Sequence, residues 1–188
     1  MIYLASLSPR RCELLDQIKI KYQQVAVTVD ETPHPQETPQ DYVSRLALAK
    51  ARAGRLAVQT THPVLGADTA IVCDGLLFGK PADKDDAKQM LRQLSGRDHQ
   101  VMTAVALVTA TQERRRLNIS NVYFRSLSEA DIQAYIATGE PVDKAGSYAI
   151  QGLASIFIER IEGSYSGVMG LPLHETATLL AEIGMNIL

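Results

Sequence analysis

The chain of 188 residues has no tryptophan, three phenylalanines and two cysteines. Cys12 and Cys73 lie far apart and form no CxxC pair, which argues against a disulfide framework and fits a reducing compartment. His34, His62, His99 and His174 show no metal-ligand spacing, and His174, after Leu171-Pro172-Leu173, reads as a packing or capping residue at a helix start. No apolar run approaches the roughly 20 residues that span a bilayer. Met1-Ile2-Tyr3-Leu4-Ala5 carries neither a basic region nor a cleavage site, so no signal peptide is expected and the cytoplasm is the default location. A net charge of −2 argues against a dedicated nucleic-acid binder and leaves room only for a local basic pocket. GxGxxG and GxxxxGK[ST] are both missing, so neither of the two commonest nucleotide-binding motifs is available.

What remains is an ordinary globular balance, 46% hydrophobic and 21% charged, enough for one domain over 1–188. Apolar and β-branched runs predict strands over 2–5 and 20–29. A strand from Pro63 ends at Asp68, and a hairpin over 69–79 turns at Asp74-Gly75. Paired strands follow over 99–110 and 115–125, and a last strand over 155–161. Helices are expected over 9–18, 40–58, from Pro81 to about Leu94, from Ser128 to Gly139, and over 171–184. The stretches 30–39, 144–152 and 163–170 read as loops, and Arg114-Arg115-Arg116 as a solvated turn. Strands and helices mix with at least two hairpins, which makes the fold α/β with a mixed sheet flanked by helices.

The most informative string is Ser6-Leu7-Ser8-Pro9-Arg10-Arg11, between a strand and a helix. Ser8 suits the N-cap and Pro9 the first helical position. Two arginines at the positive end of a helix are unfavourable by roughly 0.3–1 kcal/mol each, unless an anion sits among them. Free N–H groups, serine hydroxyls and two guanidinium forks form a phosphate cradle. Lys50 falls inside the apolar stripe Tyr42, Val43, Leu46, Ala49, Ala53 and Ala57, so it either snorkels to water or meets a buried anion. Asp68, where a buried strand is expected to open, is either a turn residue or a group in a site, with equal weight. Lys80 is held between Gly79 and Pro81. Glu31 follows Asp30 in a proline-rich loop, where paired acids are either solvated or hold Mg²⁺. Gln151, before Gly152, has the paired donor and acceptor that read a base edge. Together these residues are what binding a triphosphate with a metal and attacking one phosphorus requires.

Taken in order, Leu4-Ala5-Ser6-x-Ser8-Pro9-Arg10-Arg11, Asp30-Glu31, Lys50-Ala51, Gly66-Ala67-Asp68-Thr69, Gly79-Lys80-Pro81, Gly146-x-Tyr148-x-Ile150-Gln151-Gly152 and Gly170-Leu171-Pro172 resemble the Maf family of nucleoside triphosphate pyrophosphatases over nearly the whole chain. Leu7, where a small residue is usual, and Gly79 are minor departures. The resemblance implies an elongated, two-lobed α/β fold with a twisted mixed sheet and a central cleft, like that of the inosine triphosphate pyrophosphatases. It implies hydrolysis of a triphosphate to the monophosphate and pyrophosphate with a divalent metal, Mg²⁺ or Mn²⁺. Arg10, Thr69 and Gln151 are similar to the branch that acts on dTTP and UTP. Carried over, Asp68 is the general base. Glu31 and Asp68 hold the metal. Ser8, Arg10, Arg11, Lys50 and Lys80 hold the phosphates, and Thr69 and Gln151 face the nucleoside. A homodimer is expected by analogy, with neither nucleic acid nor membrane as a partner. Two other readings stay open: a non-catalytic nucleotide-binding regulator of cell division, and a purine, inosine-type triphosphate pyrophosphatase.

Overall fold

A computed structural model describes residues 1–142 and 144–188. Strand β1 (Ile2–Leu4) buries Ile2 and Leu4 and leads into helix α1 (Pro9–Gln17). Strand β2 (Tyr22–Gln24) pairs in parallel with β1, and Ile2 faces Tyr22 in the register. The strand expected over 20–29 is therefore much shorter. Its partner β1 has only three residues, and after Val25 donates one bond to the Leu4 carbonyl (2.9 Å) it has no neighbour left to pair with. Helix α2 (Pro39–Val58) starts where expected, with the Thr38 hydroxyl accepting from the Asp41 amide at its N-cap.

Strand β3 (Val64–Cys73) runs unbroken through Asp68, which corrects the expected strand end there. It pairs in parallel with β1 at its start and antiparallel with β4 (Leu76–Phe78) at its far end, so both halves are held in one ten-residue strand. Helix α3 (Lys84–Leu94) begins later than Pro81. The Asp83 carboxylate accepts from the Asp85 and Asp86 amides and fixes the cap there. Strands β5 (Asp98–Val108) and β6 (Glu113–Phe124) meet the expected pair closely. The Arg114–Arg116 run lies within β6 rather than at a turn, and Arg114 and Arg116 both pair with Glu182. Helix α4 (Glu129–Ala137) opens on a Ser128–Asp131 capping box. Residues 155–157 belong to a 3₁₀ turn, Leu153–Phe157, and the last strand, β7, is Ile158–Glu162. The expected loop 163–170 contains the short helix α5 (Tyr165–Met169), and helix α6 (Leu173–Ala181) follows Leu171-Pro172. His174 is exposed on α6, so it neither packs nor caps.

Among the described residues, seven strands form one mixed sheet in the order β2-β1-β3-β5-β6-β7, with β4 on β3, and helices flank it. The chain divides into two compact units. The first comprises 1–69, 103–118 and 170–188, and the second 70–102 and 119–169. Among the described residues, no helix is long and apolar enough to cross a membrane. Cys12 and Cys73 are free thiols.

The core of the second unit gathers α3, α4 and the inner faces of its strands around Phe124, Tyr135, Tyr148 and Phe157. His99 is buried in this core. Its Nε2 lies 2.7 Å from the Tyr148 hydroxyl and its ring meets Phe124 edge-on at 5.0 Å. Burial pushes its pKa down to about 4. The unfolded chain therefore takes up a proton near pH 6.5 that the native chain refuses until about pH 4. The stability that neutral His99 contributes is complete above pH 6.5 and is lost as pH falls towards 4, about 3 kcal/mol in all. Denaturant unfolding of the wild type and His99→Gln across this window checks the point. The difference between the two is expected to narrow as the solution is acidified, and parallel profiles would refute it.

Candidate active site

In the first unit, α2 lies directly on the sheet because the residues between them are small. Val43, Leu46, Ala47, Ala51 and Gly54 form its buried face, whereas Ala57 is exposed. The buried stripe is thus rotated from the expected one towards Ala47 and Gly54. A Cβ on Gly66 of β3 would stand 2.3 Å from the Ala47 carbonyl oxygen and 2.6 Å from the Ala51 nitrogen. Only glycine permits this approach, which sets Lys50 over Asp68. Gly66→Ala is expected to destabilise the protein by about 3 kcal/mol, since the clash is with helix backbone that cannot rotate away. A denaturant midpoint unchanged by this substitution would contradict that packing.

Lys50 does not snorkel. Its Nζ lies 2.6 Å from Asp68 Oδ1 and 2.7 Å from Glu31 Oε1. The Lys50 and Asp68 side chains are 15% and 10% exposed and that of Glu31 is 53%, so water can solvate the glutamate but hardly the aspartate. Burial raises the Asp68 pKa above the usual carboxylate value, while Lys50 and then Arg11 oppose that rise. Glu31 lies in the proline-rich loop, and α2 holds that loop in place. The Tyr42 hydroxyl donates to the Glu31 carbonyl (3.0 Å), Arg45 Nη2 donates to the Thr32 carbonyl (3.1 Å), and Arg45 Nε grips Glu37 at 2.6 Å. An exposed acid thereby gains a defined position.

The helix N-terminus is built differently from its expected form. Ser8 has the extended N-cap backbone, but its side chain makes no capping bond. Its amide instead donates to Ser6 Oγ at 3.2 Å. The Arg11 fork is spread over neutral acceptors: Nε donates to the Gly170 carbonyl (2.8 Å), Nη1 to Ser6 Oγ (3.1 Å) and Nη2 to Thr69 Oγ1 (3.4 Å). Gly170 has φ +111°, and a Cβ there would press on Thr69 Oγ1 at 3.3 Å. Desolvation lowers the Arg11 pKa, Asp68 raises it and neighbouring Arg10 lowers it. Two cations close enough to repel, at the positive end of a helix, form a favourable place for an anion.

Within the first unit Lys50 joins Asp68 to Glu31, Arg11 joins Thr69, and the charges of Arg11 and Asp68 act on each other, with Ser8 and Arg10 at the same helix end as Arg11. Lys80 and Gln151 belong to the second unit, where both are exposed. The Gly79 carbonyl before Lys80 accepts from the Gly146 amide at 3.0 Å. Thr103 lies outside the set of residues expected from the sequence. It is fully buried, and its hydroxyl lies 2.9 Å from that of Thr69. A single hydroxyl in the apolar run Val101–Val108 is the signal that marks it. Among the described residues, no group of three or more His, Cys, Asp and Glu side chains forms a metal cluster. Two carboxylates that converge on one cationic point do fit Mg²⁺ or Mn²⁺, which take one or two carboxylates and fill their shell with phosphate and water.

The sequence profile of the family described as Maf-like protein matches residues 1–183. A dTTP/UTP pyrophosphatase of Aromatoleum aromaticum is 53% identical, over 97% of this chain and 95% of its own length. Those of Chromobacterium violaceum (50%, over 99% and 96%) and Xanthomonas axonopodis pv. citri (53%, over 99% and 100%) are similar. Among solved structures, the Ham1 protein of Staphylococcus aureus aligns with a TM-score of 0.52 at 11% identity, over 97% of this chain and 96% of that one. A HAM1 protein of Coxiella burnetii aligns at 0.53 and 17%, over 96% and 98%. These likenesses show the shared fold.

Proposed function

The chain belongs to the Maf-like protein family, and from that premise we propose that it is a nucleoside triphosphate pyrophosphatase that cleaves dTTP and UTP to the monophosphate and pyrophosphate. The observation that carries the reading is Lys50 Nζ held between Asp68 and Glu31 beside the Arg11 network. The proposed centre is built on the first unit. Water attacks the α-phosphorus, the new P–O bond forms as the bond to the β-phosphate oxygen breaks, and pyrophosphate leaves with the electron pair. Asp68 takes the proton of the attacking water, and burial, by raising its pKa, makes it a better acceptor than an ordinary aspartate. Lys50 orients that carboxylate through Oδ1. Arg10, Arg11 and the amides after Ser8 meet charge that develops on the phosphates. A divalent cation, Mg²⁺ or Mn²⁺, held by Glu31 and Asp68, would acidify the water and neutralise the phosphates. Thr69 faces the nucleoside. Lys80, as a phosphate ligand, and Gln151, at the base, rest on the family resemblance. The cytoplasm and a homodimer complete the proposal.

Product analysis tests the reading. With dTTP, Mg²⁺ and ¹⁸O-labelled water, dTMP carrying the label plus unlabelled pyrophosphate is expected. Release of dTDP and orthophosphate would overturn it. Tight dTTP binding without hydrolysis under either metal would favour a nucleotide-binding regulator, and preference for ITP over dTTP and UTP would favour the purine reading.

A further inference from the structure

Thr103 is the one hydroxyl in the buried run of β5 from Val101 to Val108, and it is fully inaccessible. β5 lies beside β3 in the sheet, and the two threonine oxygens meet at 2.9 Å. Valine has the same shape and would suit the apolar surroundings better, since a buried hydroxyl is favourable only where it is hydrogen-bonded. Thr69 is one such partner of the Thr103 hydroxyl.

A hydroxyl has one proton and two lone pairs. Thr69 Oγ1 receives an N–H from Arg11 at a long 3.4 Å, so the shorter contact with Thr103 is the tighter constraint. That contact takes either the Thr69 proton or its second lone pair. In the first case Thr69 keeps only a lone pair for a ligand. In the second it keeps only its proton. Thymine and uracil present the same edge, a carbonyl beside N3–H. Cytosine presents the reverse, an amine beside a bare ring nitrogen. A hydroxyl limited to one role can tell these edges apart, whereas one free to rotate serves both.

We infer that Thr103 is a positioning residue for base selectivity: from the buried layer of β5 it fixes the hydrogen-bonding role of the Thr69 hydroxyl, and through it the preference for 2,4-dioxopyrimidine triphosphates. This rests on the reading that Thr69 meets the base.

The test compares the wild type with Thr69→Val, Thr103→Val, Thr103→Ser and the Thr69→Val/Thr103→Val double variant, measuring kcat and KM on dTTP, UTP and dCTP, with thermal melts as a fold control. Thr103→Val is expected to lower the kcat/KM ratio of dTTP to dCTP about tenfold, mainly through KM, in a protein that still melts cooperatively. Thr103→Ser is expected to return the ratio to within about twofold of the wild type, and the double variant to be no less selective than Thr69→Val alone. If Thr69→Val loses selectivity while Thr103→Val keeps it, the inference falls and the placement of Thr69 stands. If Thr69→Val also keeps it, both fall.

Discussion

Replacing Asp68 with asparagine is expected to lower kcat on dTTP by about 10²–10⁴-fold, the range that a positioned proton acceptor contributes, while the protein stays folded. Asparagine matches aspartate in shape and can still accept from Lys50 Nζ through its carbonyl oxygen, so the geometry above Gly66 survives. What it lacks is a charge and a site for the water's proton. Removing one partner of a buried pair costs about 3–5 kcal/mol when the other is stranded, but Lys50 retains Glu31 at 2.7 Å. The desolvation that raises the Asp68 pKa also disappears with its charge. The stability loss should therefore fall below that range. Single-turnover kinetics and a denaturant titration on the same preparation separate the two effects. A folded Asp68→Asn enzyme with near wild-type turnover would remove Asp68 from the mechanism.

How much of this centre the chain discloses before folding depends on whether the signal is local. Lys50 is legible because a cation inside an apolar stripe conflicts with its helix face. The structure resolves that conflict with two carboxylates rather than with solvent. Arg10 and Arg11 are legible because they oppose the helix dipole. The details of Arg11 are not, since its partners Gly170 and Thr69 are brought to it by the sheet and by the turn before α6. Asp68 draws notice by the glycine before it, but for the wrong local reason. Gly66 does not open a strand end. It removes the Cβ that would keep α2 away from β3. The shortened β2 and the turn that replaces the start of the last strand have the same origin. Residue preference marks a run as extended, but a partner strand decides where pairing stops. Thr103 lies beyond local reading because its meaning arises only when β5 sits beside β3.

Lys50→Met should produce the larger loss of stability and enlarge the stabilising effect of metal. Methionine keeps the length and apolar stem of the side chain but withdraws the ammonium from between Asp68 and Glu31. Glu31, half exposed, turns to water. Asp68 is 7% exposed and has no such exit, so its charge is left with the more distant help of Arg11. Stranding a buried charge in this way costs about 3 kcal/mol, which for a chain of this size lowers Tm by about 6–12 °C. Activity is expected to fall at least a hundredfold, since the Asp68 carboxylate loses the group that orients it. The two acids then face each other with no cation of the protein's own. A divalent cation that binds only the native state stabilises it by about 2.7 kcal/mol at a hundred times its Kd. Mn²⁺ is therefore expected to raise the Tm of Lys50→Met by several degrees more than that of the wild type, and Lys50→Met/Asp68→Asn to lose that extra rise. Equal responses in the wild type and Lys50→Met would mean that the metal binds away from these carboxylates. In that case Lys50 and Asp68 would form a structural ion pair and nothing more.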